Sequence, residues 1–418
     1  MLQWRILMER IDYRFVKKMA EEYGTPYYIM NSDIYEKNVM NFVSALKKYY
    51  DRIVVGYSFK TNYVPALCKK ALALGCYAEV VSAMEFELAL KCGFSDIIFN
   101  GPIKTYSYLS KALDLGVVVN LDSEYELQYV LEYQKSHPNK TLRVGIRLNI
   151  NLKDVFGNSV IQNGLKQGRF GFSSDTLSHL VEKLKSSGVI INSIHGHTSS
   201  SDRAAKNYET IVLYMSEVCK KYELNDIEYF DIGGGFFGAA ADGINVIGKP
   251  VYEDYAKTVF DILHNDEWFK KVMPILVIEP GSSVVSNVFG YVSQVYQVKN
   301  INGKCFVTTD GCVFEVKPTM HNNNLPFKLY SHSDSKNNVI CDFVGSTCME
   351  KDIILSDVTM PEPKFGDFVK IDGVGAYTMV LTPDFINYKS PIIDISCGKN
   401  LLVRRRQTLS DIINTYIC

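Results

Sequence analysis

From Ile53 to Pro280, short apolar runs alternate with amphipathic stretches, and this alternation constrains the fold more than any other feature of the chain. The runs are Ile53 to Tyr57, Ala78 to Val81, Ile97 to Phe99, Val117 to Leu121, Arg143 to Leu148, Ile190 to Ile194, Tyr229 to Ile232 and Ile275 to Ile278. Helix-like segments lie between them, among them Val64 to Leu74, Ala83 to Cys92, Ser123 to Lys135, Asp175 to Ser186, Ala204 to Tyr222 and Tyr252 to Leu263. Eight near-continuous apolar strands over roughly 230 residues suit a closed parallel barrel, whose strands are buried on both faces. An open doubly wound sheet is the alternative reading.

After Pro280 the texture changes. Val284 to Val298 and Lys304 to Thr309 read as strands, and turn signals such as Asp310-Gly311, Phe365-Gly366-Asp367 and Asp372-Gly373-Val374-Gly375 follow. The expected architecture is therefore α/β: an eight-stranded βα (TIM) barrel over residues 31–280, with residues 1–30 and 281–418 forming a β-rich second domain.

Lys+Arg number 45 against Asp+Glu 46 in 418 residues, so the net charge of −1 gives no electrostatic reason to expect nucleic acid or an anionic membrane. A small-molecule partner is favoured. Charges interrupt the apolar residues of MLQWRILMERIDYRF, which is unlike a signal peptide, and no later stretch is long enough to span a bilayer; a cytoplasmic protein is expected. The ten cysteines include no Cys-x-x-Cys pair, so neither a zinc site nor a disulfide framework is expected. The cluster Arg404-Arg405-Arg406 reads as solvated surface.

In a βα barrel the chemistry sits at the C-terminal ends of the strands. Here the runs end in Lys60, Ser82, Asn100-Gly101, Arg147 and Asn149, His195 and His197, Gly233-Gly234-Gly235, and Glu279-Pro280-Gly281. A glycine run exposes backbone N–H groups to a phosphate, although it can equally be a tight connection. A lysine at a strand end is commonly a surface charge. Opposite a phosphate cradle and a strand-end carboxylate, Lys60 is instead placed to form a Schiff base with a carbonyl cofactor.

These residues resemble the fold-type III pyridoxal-phosphate decarboxylases, which include diaminopimelate, ornithine and carboxynorspermidine decarboxylases. The resemblance covers nearly the whole chain. It runs through Gly24-Thr25-Pro26-Tyr27-Tyr28, Ser58-Phe59-Lys60-Thr61-Asn62, Glu79-Val80-Val81-Ser82, Asn100-Gly101-Pro102-Ile103-Lys104 and Arg169-Phe170-Gly171-Phe172. It continues through His195-Gly196-His197-Thr198-Ser199-Ser200, Asp231 to Phe236, Glu279-Pro280-Gly281 and Gly375-Ala376-Tyr377. It implies that the cofactor is pyridoxal 5′-phosphate held by Lys60, that His197 stacks on its ring, and that Ser200, Gly234, Gly235 and Tyr377 hold its phosphate. Glu279 corresponds to the carboxylate paired with the pyridinium nitrogen. Related alanine racemases have an arginine there, so Glu279 favours decarboxylation over racemisation.

Gly345-Ser346-Thr347-Cys348 resembles the family loop whose cysteine reaches the partner subunit's active site and reprotonates the α-carbon. That implies a homodimer with shared active sites; a buried structural thiol is the plainer reading of Cys348. Asp352 also falls where the family has an aspartate.

Three departures bear on the substrate. Ser282 stands where the family's Glu-Pro-Gly-Arg has a phosphate-contacting arginine, and a hydroxyl does not supply that charged, bidentate contact. Met349 stands where the ornithine and diaminopimelate enzymes have a carboxylate for the far amino group, with Glu350 one place further on. Lys317 replaces an arginine that helps hold the distal carboxylate of diaminopimelate; it is followed by Pro318-Thr319-Met320-His321-Asn322-Asn323-Asn324, which is either a neutral hydrogen-bonding surface or an ordinary polar loop. The expected substrate is an amino acid, a diamino acid derivative or a modified or conjugated one rather than free diaminopimelate. Diaminopimelate decarboxylation proper and a catalytically silent homologue that binds a partner protein are the alternatives.

Overall fold

The computed structural model describes residues 11–154, 156–332 and 337–417. Met1 to Arg10, part of both the leader reading and the expected 1–30 segment, lie outside the described residues. The chain divides into a unit made of Glu36–Gly238 with Ile247–Val284 and a unit made of Met1–Tyr35, Ala239–Val246 and Val285–Cys418. Residues 239–246, inside the expected barrel span, therefore cluster with the β-rich unit. Ala241 is buried there, and a side-chain carbon at Gly373 would lie 3.5 Å from its Cβ.

In the first unit the apolar runs become the strands Ile53–Ser58, Tyr77–Val80, Ile97–Phe99, Val118–Leu121, Arg143–Arg147, Ile190–His195, Tyr229–Asp231 and Ile275–Ile278. Each pairs in parallel with the next, and Ile53↔Leu276, Val54↔Val277 and Val55↔Ile278 join the first strand to the last. That closure excludes the open sheet. Ile98, Val118 and Val277, packed with Val54, Tyr77, Tyr229 and Ile275, form an apolar plug toward the strand starts. The polar side chains are left for the C-terminal ends, as barrel packing requires.

Local signals set the helices that return the chain. Ala83–Cys92 begins where Ser82 Oγ accepts the Glu85 N–H at 3.2 Å and Glu85 Oε2 accepts the Val81 N–H at 2.8 Å, a reciprocal cap. Ser82 is thus a helix cap. Helices that were not singled out from periodicity include Tyr106–Leu115, whose buried face is Leu109, Ala112 and Leu113, and Glu267–Val272, which at six residues is too short to show a period.

The second unit is built on a nine-stranded sheet. Its organiser is the strand Phe289–Ile301, whose first half pairs antiparallel with Tyr27–Met30 and Phe368–Asp372 and whose second half pairs with Lys304–Thr309. The expected strand from Val284 starts later, because Ser282–Val285 makes one helical turn and Ser286–Val288 a 3-10 turn. The turn closes with the Val284 N–H bonded to the Gly281 carbonyl at 3.0 Å. A side chain at Gly281 would lie 2.3 Å from Thr61 Oγ1, so only glycine allows this approach. Val16, Met19, Tyr27, Val292, Phe368 and Ile393 fill the core of this unit. Among the described residues, no helix is long and apolar enough to cross a membrane.

Candidate active site

The first strand delivers Lys60 in a single 3-10 turn, Phe59–Thr61, with Phe59 and Thr61 buried on either side of it. Lys60 Nζ donates to Glu79 Oε2 at 2.6 Å, and Ser58 Oγ donates to the same oxygen at 2.7 Å. The lysine side chain remains 30% exposed while Glu79 is fully buried, so the ammonium sits at the edge of solvent with its counter-charge beneath.

Asn100 connects this pair to the far side of the barrel. Its Nδ2 donates to Glu79 Oε1 at 3.1 Å and to Glu279 Oε1 at 2.6 Å. Its Oδ1 accepts from Asn120 Nδ2 at 2.8 Å, and Ser193 Oγ donates to Asn120 Oδ1 at 2.8 Å. With Ser58 of the first strand, six strands are thereby tied into one polar layer above the apolar plug.

Glu279 Oε2 lies 3.4 Å from His195 Nε2 and 3.9 Å from His197 Nδ1. Burial pushes the Glu279 carboxyl up, but His195, Lys60 and His197 outweigh it and hold the group below the ordinary carboxylate range. Asp231 is driven well above that range by burial and by the charge of Glu279. Of these two carboxyls, Glu279 carries the charge and Asp231 the proton. His197 is held far below the usual imidazole range by burial and by Lys60, so its ring is neutral.

The backbone around the glycine turn is fixed by the same groups. Gly233 N–H donates to Asp231 Oδ1 at 2.9 Å and Gly234 N–H to His197 Nδ1 at 2.7 Å. The Gly234 amide, expected at the phosphate, is here bonded to the histidine and orients it. A side chain at Gly234 would meet the Glu279 carbonyl at 2.3 Å, which explains the glycine sterically. The N–H groups of Gly235 and Phe236 have no acceptor among the described residues. Ser200 is buried and its Oγ accepts from Arg203 N–H and Asn207 Nδ2. Arg147 pairs with Asp122 at 3.1 Å and donates to the His197 carbonyl at 3.3 Å; Asn149 pins the carbonyls of Gly168 and Phe170.

His195, His197 and Glu279 also lie close enough to gather a metal ion. His197 Nδ1 is, however, already the acceptor for Gly234.

The β-rich unit holds the other candidates. Cys348 is exposed, and its loop is organised by Asp352, which is buried and accepts from Val313 N–H, Thr347 N–H and Thr347 Oγ1 at 2.7, 3.0 and 2.6 Å. With both oxygens engaged, Asp352 is a loop anchor and not an open substrate contact. Met349 is half-buried and Glu350 exposed. Tyr377 is 39% exposed, with a left-handed φ of 59°. Lys317 is only 4% exposed; burial lowers its pKa, and its ammonium has no ion pair or hydrogen bond among the described residues. His321 is held below the usual imidazole range by burial and by Lys317, while Asn324 is a clamp bonded to both backbone groups of Ser356.

A family profile described as "Pyridoxal-dependent decarboxylase, pyridoxal binding domain" matches residues 36–286. The chain belongs to the pyridoxal-dependent decarboxylases. A diaminopimelate decarboxylase from Helicobacter pylori J99 is 25% identical over 414 residues, covering 95% of this chain and 96% of the relative. A probable chloroplastic diaminopimelate decarboxylase from Oryza sativa is 28% identical over 370 residues, covering 86% and 73%. The crystal structure of the M. jannaschii enzyme in co-complex with L-lysine superposes with a TM-score of 0.83 at 24% identity, covering 96% and 94% of the two chains, and shares the fold. This decarboxylase is a fold-type III, pyridoxal-phosphate-dependent amino-acid decarboxylase of the diaminopimelate/ornithine family.

The barrel mouth fits that cofactor. It offers a half-exposed lysine for the aldehyde, a buried ionised carboxylate for a ring N–H, a neutral imidazole, and two unbonded backbone N–H groups for a phosphate. Glu79, Asp231 and Arg203 were not recognised from the sequence. Glu79 did leave a signal, a carboxylate within the apolar run Ala78-Glu79-Val80-Val81.

Proposed function

We propose that the decarboxylase acts on an amino acid whose far end carries a carboxylate or other hydrogen-bond acceptor and no free ammonium, a derivatised or conjugated diamino acid rather than free diaminopimelate. The observation that carries this reading is Lys317, a buried cation with no acidic partner among the described residues, combined with an uncharged Met349. An ammonium without a counter-charge on a largely buried side chain favours an anionic or acceptor group from a ligand. A thioether offers nothing to a substrate ammonium.

In this reading Lys60 would hold the cofactor through its amine, and Glu79 keeps the lysine oriented. When bound, pyridoxal phosphate supplies an electron sink for the pair left behind when the α-carboxylate departs as carbon dioxide. Ionised Glu279, fixed by Asn100 and flanked by His195, would keep a proton on the ring nitrogen. Neutral His197, its orientation set by the Gly234 amide, would pack against the ring. Gly235 and Ser200 would hold the phosphate, and Tyr377 of the β-rich unit is the further residue that the family resemblance assigns to it. Cys348 delivers a proton to the α-carbon in the partner subunit of a homodimer, and Asp352 shapes its loop.

The test is carbon dioxide release from diaminopimelate, ornithine, lysine and their side-chain-acylated derivatives. Fastest turnover of free diaminopimelate, which the relatives' names favour, would overturn the substrate reading while leaving the cofactor chemistry intact.

A further inference from the structure

We propose that Arg203 is the cationic anchor for the cofactor's phosphate, supplied from the loop after the sixth barrel strand in place of a residue at position 282. The inference rests on the cofactor reading above. A phosphate ester is a dianion near neutral pH, and backbone N–H groups alone leave that charge unneutralised. The residue after Glu279-Pro280-Gly281 is a serine, so the cation has to come from elsewhere.

Arg203 Nη1 donates to Ser282 Oγ at 2.9 Å, which brings the guanidinium to the place the sequence leaves uncharged. Its backbone N–H donates to Ser200 Oγ at 3.1 Å. Tyr255 ties it to the glycine turn, donating its hydroxyl to the Arg203 carbonyl and accepting the Phe237 N–H at 2.8 Å. Tyr208, in edge contact with Tyr255, bonds the Gly234 carbonyl at 2.7 Å. The loop holds Arg203 in the left-handed region at φ 52°, a conformation that a non-glycine residue keeps only when its surroundings impose it. No carboxylate pairs with the guanidinium among the described residues, so four of its five N–H donors remain for a ligand.

Pyridoxal lacks the phosphate and separates this role from a general effect on the site. For the apo-protein, the dissociation constants of pyridoxal phosphate and pyridoxal are measured by absorbance titration in wild type, Arg203→Gln and Arg203→Ala/Ser282→Arg. Arg203→Gln is expected to weaken pyridoxal phosphate at least about tenfold and pyridoxal less than about twofold. Ser282→Arg is expected to restore most of the loss. In wild type, pyridoxal phosphate but not pyridoxal is expected to shield the Arg203 peptide from phenylglyoxal, read by mass spectrometry, a measurement that does not depend on any variant folding. Equal loss for both ligands, no loss, or unshielded labelling of Arg203 would overturn the proposal. A wild-type chain that forms no visible absorption band with pyridoxal phosphate would instead sink the cofactor reading itself.

Discussion

The barrel mouth and the loop that carries Cys348 handle ionisable groups in opposite ways. At the mouth, Lys60, Glu79, Asn100 and Glu279 form a continuous network on strand ends, and only the lysine among its charged members reaches solvent. In the loop, one buried carboxylate, Asp352, holds the backbone, and Cys348 and Glu350 are left exposed. A network on parallel strands cannot be altered at one residue without leaving a buried partner unsatisfied, whereas a loop residue can change freely. This accounts for the departure at Met349, in the loop. Met349 and Lys317 depart in the β-rich unit, while the one departure at the mouth, Ser282, has Arg203 beside it.

The contrast breaks or sharpens under substitution. Lys60→Ala should lose at least about a thousandfold in carbon dioxide release together with the visible cofactor band; retention of the band would remove the lysine from the centre of the site. Cys348→Ala should lower amine formation roughly ten- to hundredfold while the cofactor titration stays unchanged. Loss of cofactor in that variant would make the thiol structural.

Asp352→Asn tests the loop from beneath. One of its three donors then faces an amide N–H, so stability should fall by about 1–3 kcal/mol in urea unfolding, with Cys348 reacting faster with a thiol reagent. Unchanged stability would mean that the loop is held elsewhere.

An effect of similar size, confined to one pH interval, concerns Glu85, the capping partner beside the second strand. Burial and the charge of Glu79 raise its pKa from 4.5 to about 7, against the Val81 N–H, which lowers it. Since the folded value is the higher one, its stabilising contribution is full below pH 4.5 and is lost as pH rises through 7. Glu85→Gln should flatten the stability profile across that interval, by up to about 3 kcal/mol, as read by thermal unfolding. An unchanged profile would show that Glu85 titrates normally.

The eight strands and Lys60, His195, His197 and Glu279 at their ends were legible in the chain, because parallel strands buried on both faces write themselves as apolar runs that end in polar residues. Most of the returning helices were equally legible, while Tyr106–Leu115 was not singled out although Leu109, Ala112 and Leu113 give it a buried apolar face. Partnerships between strands left no such trace. Glu79 meets Lys60 across 19 residues of sequence and Asn100 meets Glu279 across 179, distances over which no local pattern operates. Sequence alone therefore determined the barrel, the cofactor class and the sites of departure. Only the tertiary structure decided which carboxyl is ionised, which amide of the glycine turn is open, and that Arg203 stands beside Ser282, because charge state and hydrogen-bond partner depend on burial and on neighbours brought in from distant strands.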